Sequence, residues 1–531
     1  MYYVFNIMII GLVAFIAYWW ANQGLFSAIL HCLCVIVAGA IALAVWEPLA
    51  FAAFVKGSSG FSNYGWGITL VVSFALILFI LRVAMDRLAP ANVALPNWAN
   101  LTFGLPVGAV AGVLTLGIFV IGAGFIQSSD SLLGFRGYGR GQRTGNIEPL
   151  NQLWLPVHQI TDEFYSWLSV TSLSTSRPMR HYYPELHKQM TLVRDSAKDG
   201  RAALALAPDA VNIRAAFYCP ELNRCAVAVG FNEKAQDYGS QLTLSRSQIR
   251  LIGAARRTAK ASVTYPDRWR QDTVSGIGYH TFENDKAAYI TSVAGRESTD
   301  IMIQFPAPAG QRAAFIQIRG TRFAINPREV SEAEYVEATG RLENFDSLMG
   351  AGADYAPQDI QNFLEITTKI HNLNVGTNSP LGTMQVTSER FLREGEAHFS
   401  RGGERPPRTL AIEGIYQPQG TKVVLLDISQ ESPASIFGAV AQLVQDDARL
   451  ALVDSNGRKY SPIGFIHYTA DSRIHVKLSP GSYLRTIDEI PSIPRAGGQT
   501  LKLVFRVTEG MTIVSFTWGE QIVGHCNLPV R

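Results

Sequence analysis

Residues that could do chemistry are present in this chain, but none stands at a spacing that defines a reaction. Acyl transfer needs a nucleophile, a base that activates it and donors for the developing oxyanion. There is no Gly-x-Ser-x-Gly elbow and no Gly-Asp-Ser-Gly stretch, and His158, His181, His187, His280, His371 and His398 fall among serines at no diagnostic distance. No catalytic residue is assigned. His181 and His187 flank Tyr182-Tyr183-Pro184-Glu185-Leu186, which is not the i,i+4 register of a zinc-binding helix. Asp446, Asp447 and Asp454 lack the ligand spacing of a calcium loop. The run Gly139-Arg140-Gly141-Gln142 lacks the strand-to-helix setting of a phosphate cradle. The expectation is a protein without metal, cofactor or enzymatic activity.

The cysteines offer one pairing. Cys219 and Cys225 in Tyr218-Cys219-Pro220-Glu221-Leu222-Asn223-Arg224-Cys225 are close enough in sequence for a local disulfide, which suits an oxidising compartment. The alternative is two separate buried thiols. Cys32 and Cys34 lie in an apolar run, and Cys526 has no evident partner.

The elements that must position these residues begin with the first 126. No Lys, Arg, Asp or Glu occurs from Met1 to Trp46, nor between Arg87 and Asp130. Four helical spans fit, at about 3–20, 27–46, 66–84 and 103–125, each near the roughly 20 residues that cross a hydrocarbon layer. Trp19, Trp20, Trp46, Trp66 and Trp98 stand near the proposed ends, where indoles favour a membrane interface. Gly104, Gly108 and Gly112 repeat every four residues and clear one face of the fourth span for close helix packing, within the chain or between subunits of a homo-oligomer. Arg82 and Arg87 between spans three and four favour a cytoplasmic loop there and export of the C-terminal part, although Arg136, Arg140 and Arg143 after span four argue the reverse.

This block resembles the CvpA (colicin V production protein) family. The resemblance rests on the apolar first span, the Asn22-Gln23-Gly24-Leu25 turn, Gly39-Ala40-Ile41-Ala42 in the second span, Arg82-Val83-Ala84-Met85-Asp86-Arg87-Leu88 ending the third, and the glycine-lined fourth. It covers about residues 1–128. Family members often carry acidic and arginine residues around the first turn, where this chain has Asn6 and an uncharged Asn22-Gln23-Gly24. The resemblance implies a multi-pass bacterial inner-membrane protein, and some relatives carry an exported C-terminal domain, in certain members a trypsin-like protease. No protease motif stands in this chain to receive that activity.

Beyond the spans lie nearly all of the 46 basic and 43 acidic residues, and a net charge of +3 is too small to imply a nucleic-acid partner. Residues 127–208 read as a glycine-rich juxtamembrane linker followed by helices, one with an apolar stripe of Leu153, Val157, Ile160, Phe164, Trp167 and Leu168 that would pack on a domain or lie on the bilayer. A second helix is expected around Glu185–Leu206. Short alternating runs separated by turn residues predict a first β-sandwich domain at 209–326 and a second at 409–531. Between them, 327–408 reads as a helical connector with helices over Glu329–Phe345 and from Asp359 to Ile370, then a polar linker. Similar strand pairs at Ile301–Ile318 and Leu501–Trp518 raise the prospect of a duplication, each pair forming a terminal hairpin.

The fold class expected is therefore a membrane α-helical four-span bundle followed by a mainly β extracytoplasmic region with two antiparallel β-sandwich domains and connecting helices. The expected function is a membrane-anchored binding or scaffold protein whose partners are the lipid bilayer and an envelope protein or glycan. The competing readings are an accessory subunit of a transport or export system and an envelope hydrolase with an unrecognised site.

Overall fold

The computed structural model describes residues 1–55, 62–89, 93, 95–126, 131–141, 146–193, 204–237, 241–273, 276–282, 289–292, 294–295, 298–340, 357–400, 405–437, 449–484, 487–492 and 498–531. The expected loop at 56–60, Arg143, Asp446, Asp447 and the run 401–404 lie outside them. Its contacts divide the chain into two compact units. A helical unit holds Met1–Pro208, Ser247–Tyr265 and Ala307–Asn326; a β-rich unit holds Asp209–Arg246, Pro266–Pro306 and Pro327–Arg531. The expected 209–326 domain is thus shared between the two, because strands inside that range are enclosed by helices that precede it in sequence.

In the helical unit, α1 (Tyr2–Asn22), α2 (Leu25–Ala50), α3 (Ser62–Leu88) and α4 (Asn97–Gly124) are four helices long and apolar enough to cross a membrane. They outrun the expected spans at most ends, since flanking polar residues such as Asn22 and Asn97 continue the backbone helix. Gly104, Gly108 and Gly112 face α1: a Cβ at Gly108 would fall 2.8 Å from the Ala17 carbonyl oxygen, and one at Gly104 3.0 Å from the Ala21 Cα. The face that could have met another subunit is occupied by α1 of the same chain.

Helix α5 (Val157–Leu168) packs across this bundle where Gly39 and Gly117 leave room; a Cβ at Gly117 would fall 1.9 Å from the Thr161 hydroxyl, and one at Gly39 2.0 Å from that of Tyr165. Its expected apolar stripe is divided. The helix buries His158, Thr161, Asp162, Tyr165 and Ser166, while Ile160 and Trp167 are exposed. The short α6 (Met179–Tyr182) and α7 (Leu186–Leu192) follow, so the helix expected over 185–206 is confined to its first part among the described residues. A four-stranded antiparallel sheet, in the order Thr321–Ala324, Ala313–Ile318, Ile249–Gly253 and Val263–Thr264, completes the unit. Arg250, fully buried there, donates to the Gln317 side chain and to the Pro184 carbonyl, which ties the sheet to the turn before α7.

The β-rich unit contains several antiparallel sheets. A six-stranded one runs in the order Arg328–Glu329, Val211–Cys219, Arg224–Phe231, Thr299–Pro306, Arg268–Thr273 and Gly276–Thr281, with only the first pair parallel. Cys219 pairs with Arg224 and Cys225 with Tyr218 on adjacent strands. The two thiols are therefore one step out of register and point to opposite faces of the sheet, which rules out the expected disulfide. Both are free and buried; Cys219 donates to Glu221, and burial pushes Cys225 up to about 12.

The C-terminal part holds a five-stranded sheet around Thr512–Trp518 and an eight-stranded sheet around Thr500–Thr508 and Gly464–Tyr468. Leu426, Leu503 and Phe505 of the larger sheet and Leu452, Ile513 and Phe516 of the smaller share one hydrophobic core. The strand pairs once expected as terminal hairpins are not hairpins. Thr299–Pro306 and Ala313–Ile318 lie in different sheets, and so do Thr500–Thr508 and Thr512–Trp518. The helix expected after Asp359 is a short helical turn followed by the strand Leu364–Ile366, which pairs with Thr421–Asp427. Within the range expected to be a polar linker, Phe391–Ser400 is a ten-residue strand. The acidic helix is present as α8 (Glu332–Thr339), capped by the Ser331 hydroxyl.

The tight turn expected at Asp454-Ser455-Asn456-Gly457 is present. The Asp454 carboxylate accepts from the backbone N–H groups of Asn456 and Arg458, and Gly457 takes a positive φ of 81°. The turn delivers Arg458 into the interior, where it donates to Thr508 and to the Thr291 carbonyl, while Tyr460 donates to Asp454 at 2.8 Å.

Candidate functional site

The helical unit holds a cavity of about 490 Å3 between α2 and the α5–α6 segment. Its origin lies in residue size. Ala40 and Ala44, with Ile41 and Leu43, present a low apolar wall one helical turn apart, and Tyr165, Leu168 and Leu173 face them. At the other end the lining becomes polar, with Glu47, Thr175, Ser176, Arg177, Tyr182, Tyr183 and Arg322.

Three elements converge on that polar end. Glu47 stands near the C-terminal end of α2, Tyr183 follows α6, and Arg322 comes from the strand Thr321–Ala324. Arg322 Nη2 lies 2.5 Å from the Glu47 carboxylate and donates to the Tyr183 hydroxyl at 2.9 Å, while that hydroxyl donates to Glu47. The guanidinium lies over the Tyr183 ring, 4.1 Å from its centroid. This uses one side of the fork, and Nη1 is buried without a hydrogen-bond partner. Nη1 has essentially no exposed surface, so what the polar end offers a ligand is the charge of the guanidinium rather than that donor. Arg177 is exposed at the same end, its guanidinium 5.8 Å from the Tyr182 ring. With one carboxylate against two guanidinium groups, the polar end carries a net positive charge.

The other sequence candidates are not brought together into a reactive arrangement. His187 Nδ1 lies 2.5 Å from Asp162, and Ser166 also donates to that carboxylate, so the serine sits on the acid and away from the imidazole. His158 is buried beside them with neither ring nitrogen bonded; burial and the nearby His187 hold it down at about 3, neutral at physiological pH. His181 meets the Arg257 carbonyl, and in the other unit His280 stacks on Trp269 with its Nδ1 3.1 Å from the Met511 sulfur. None of these imidazoles hydrogen-bonds a serine among the described residues.

Sequence reasoning missed the cavity because its polar end is built from residues far apart in the chain. Glu47 at the end of an uncharged span was the signal available, since an isolated carboxylate there calls for a cation.

No protein-family model matches the chain, and neither a curated protein nor a solved structure gives a significant match.

Proposed function

We propose that this is a CvpA-like, multi-pass bacterial inner-membrane protein that binds rather than transforms its ligands, and that the cavity beside α2 takes an amphiphile with an anionic head. The observation that carries this reading is the surplus of positive charge, Arg322 and Arg177 against Glu47, at the polar end of an otherwise apolar cavity. An acyl chain matches the Ala40–Ala44 wall, and a phosphate or carboxylate matches the guanidinium groups. The inverted burial of α5 supports placement in lipid. A helix that hides Asp162 and His158 and exposes Ile160 and Trp167 is reasonable where its outer surroundings are apolar or interfacial.

The test uses the full-length protein in mild detergent, with phosphatidylglycerol and phosphatidylethanolamine as probes in native mass spectrometry. Phosphatidylglycerol is expected to be retained preferentially, and both Arg177→Glu and the cavity-filling Ala44→Trp should lower its retention. Equal retention of both lipids, undiminished in the two variants, would sink the proposal.

In the same reading the C-terminal sheets form antiparallel sandwiches on the exported side and present loops to an envelope protein or glycan. A cleft of about 750 Å3 whose charged lining is Lys369, Arg405 and Arg408 against Glu413 supports an acidic partner. Cell-wall glycan should co-sediment the solubilised protein, less so after Lys369→Glu with Arg408→Glu; no co-sedimentation argues against a glycan. Export is checked by thiol labelling of intact cells, with single reporters at exposed Ser174 and Val93. Reaction at Ser174 alone is expected, and reaction at Val93 alone reverses the orientation.

A further inference from the structure

We propose that Glu396, His398 and His475 form a binding site for one divalent transition-metal ion of the zinc class on the eight-stranded sheet. The site is independent of the amphiphile cavity and shares no residue with it.

The arrangement follows from strand geometry. Side chains two apart on a strand share a face, so Glu396 and His398 of Phe391–Ser400 project together. The neighbouring strand Arg473–Leu478 places His475 directly opposite His398, on that same face. One ligand atom from each of the three lies within 4.8 Å of the others, and His475 Nε2 is 2.7 Å from Glu396 Oε1. The two imidazole rings stack with centroids 4.0 Å apart. Two imidazoles and one carboxylate make a donor set suited to Zn2+, Co2+ or Ni2+, unlike the all-oxygen shells of Ca2+ and Mg2+. Three protein ligands also leave a fourth tetrahedral position for water or another donor.

The strands beneath are well anchored. The alternate residues Ala397, Phe399, Ile474 and Val476 are buried in one core, so the backbone that carries the ligands is held from behind. Phe465 meets the His475 ring edge-on at 5.0 Å. The next strand sets His467 opposite His475, and His467 hydrogen-bonds Gln499 at 2.8 Å. Lys477, opposite Glu396, is the adjacent cation against which the metal must compete.

The spacing of these residues in sequence does not reveal the site. Its ligands come from strands 79 residues apart, and only Glu396-x-His398 is visible locally.

The test titrates Co2+ into the tag-free, full-length protein in detergent and follows its visible d–d absorption, with Zn2+ as competitor. One equivalent of Co2+ should bind with tetrahedral or five-coordinate intensity and be displaced by Zn2+. His398→Ala, at an exposed position, and Glu396→Gln should each weaken binding at least about tenfold, while His181→Ala leaves it unchanged. Thermal melting without metal verifies that each variant is folded, and Zn2+ should raise the melting temperature of the native chain but not of the His398→Ala, His475→Ala double variant. Absence of stoichiometric binding in the native chain, or binding undiminished in the folded His398→Ala and Glu396→Gln variants, overturns the proposal.

Discussion

The helical unit and the β-rich unit solve the problem of close contact in opposite ways. Between α1 and α4 the backbones approach because side chains are missing: Gly104, Gly108 and Gly112 meet Ala21, Ala17 and Val13. Where lipid surrounds helices, there is little hydrophobic gain from removing apolar surface, and dispersion at short range must supply the attraction. In the β-rich unit large side chains make the contact. Leu503, Phe505, Phe516 and Trp518 fill the space between strands whose separation the backbone ladder already fixes. The lesson is that adding atoms should harm the first unit, while removing them or their polar partners should harm the second.

The largest effect is expected at Arg458. Arg458→Met removes the donors to Thr508 and the Thr291 carbonyl and leaves Asp454 buried without the nearby positive charge; a loss of about 3 kcal/mol or more is expected in thermal unfolding of the solubilised protein. A loss below a few tenths would break the contrast. Gly108→Leu tests the opposite arm, and its side chain, starting 2.8 Å from a backbone oxygen, should cost about 2–3 kcal/mol. Stability unchanged by that substitution would show that α1 and α4 are not held by close approach.

Acid sharpens the comparison because each unit buries a histidine. Burial holds His280 well below its ordinary pKa and His158 down at about 3. Both remain neutral when folded, whereas the unfolded chain takes up the protons below about pH 6.5, so stability is present above that pH and is lost as pH falls toward the folded values. Each histidine should contribute a slope of about 1.4 kcal/mol per pH unit in that window, and His280→Gln should remove one of the two slopes in melting curves from pH 7.5 to 5. A pH dependence identical to the native chain's would show that His280 can protonate where it is.

The smallest effect belongs to Gly11. It lies on α1 with nothing within 4 Å of an added Cβ, so Gly11→Ala should gain up to about 1 kcal/mol from helix propensity alone. A loss comparable to that of Gly108→Leu would remove the distinction between the two faces of α1.

Much of this architecture is legible in sequence wherever one local rule governs it. Uncharged runs give the four helices, and the Asp454–Gly457 turn follows from residues whose side chains and backbone preferences close it locally. The Phe391–Ser400 strand is less visible because its exposed face carries Glu394, Glu396 and His398, which resemble a polar linker until Ala397 and Phe399 are seen in the core. Helix α5 is misread for the complementary reason: its apolar pattern does not say which face meets protein and which meets other surroundings. Neither the Arg322 cluster nor the Glu396 cluster is local, since strand pairing and enclosure by distant segments create both.

One connection also constrains biosynthesis. Glu47 waits for Arg322, 275 positions later, and the strand that brings it belongs to the same compact unit as the opening helices. A nascent polypeptide emerging from the ribosome can therefore place its apolar segments early yet must keep an unneutralised carboxylate at the end of the second one until more than half of translation is complete. Chains terminated before that strand should be degraded faster than those released just after it, a difference that pulse-chase labelling can measure.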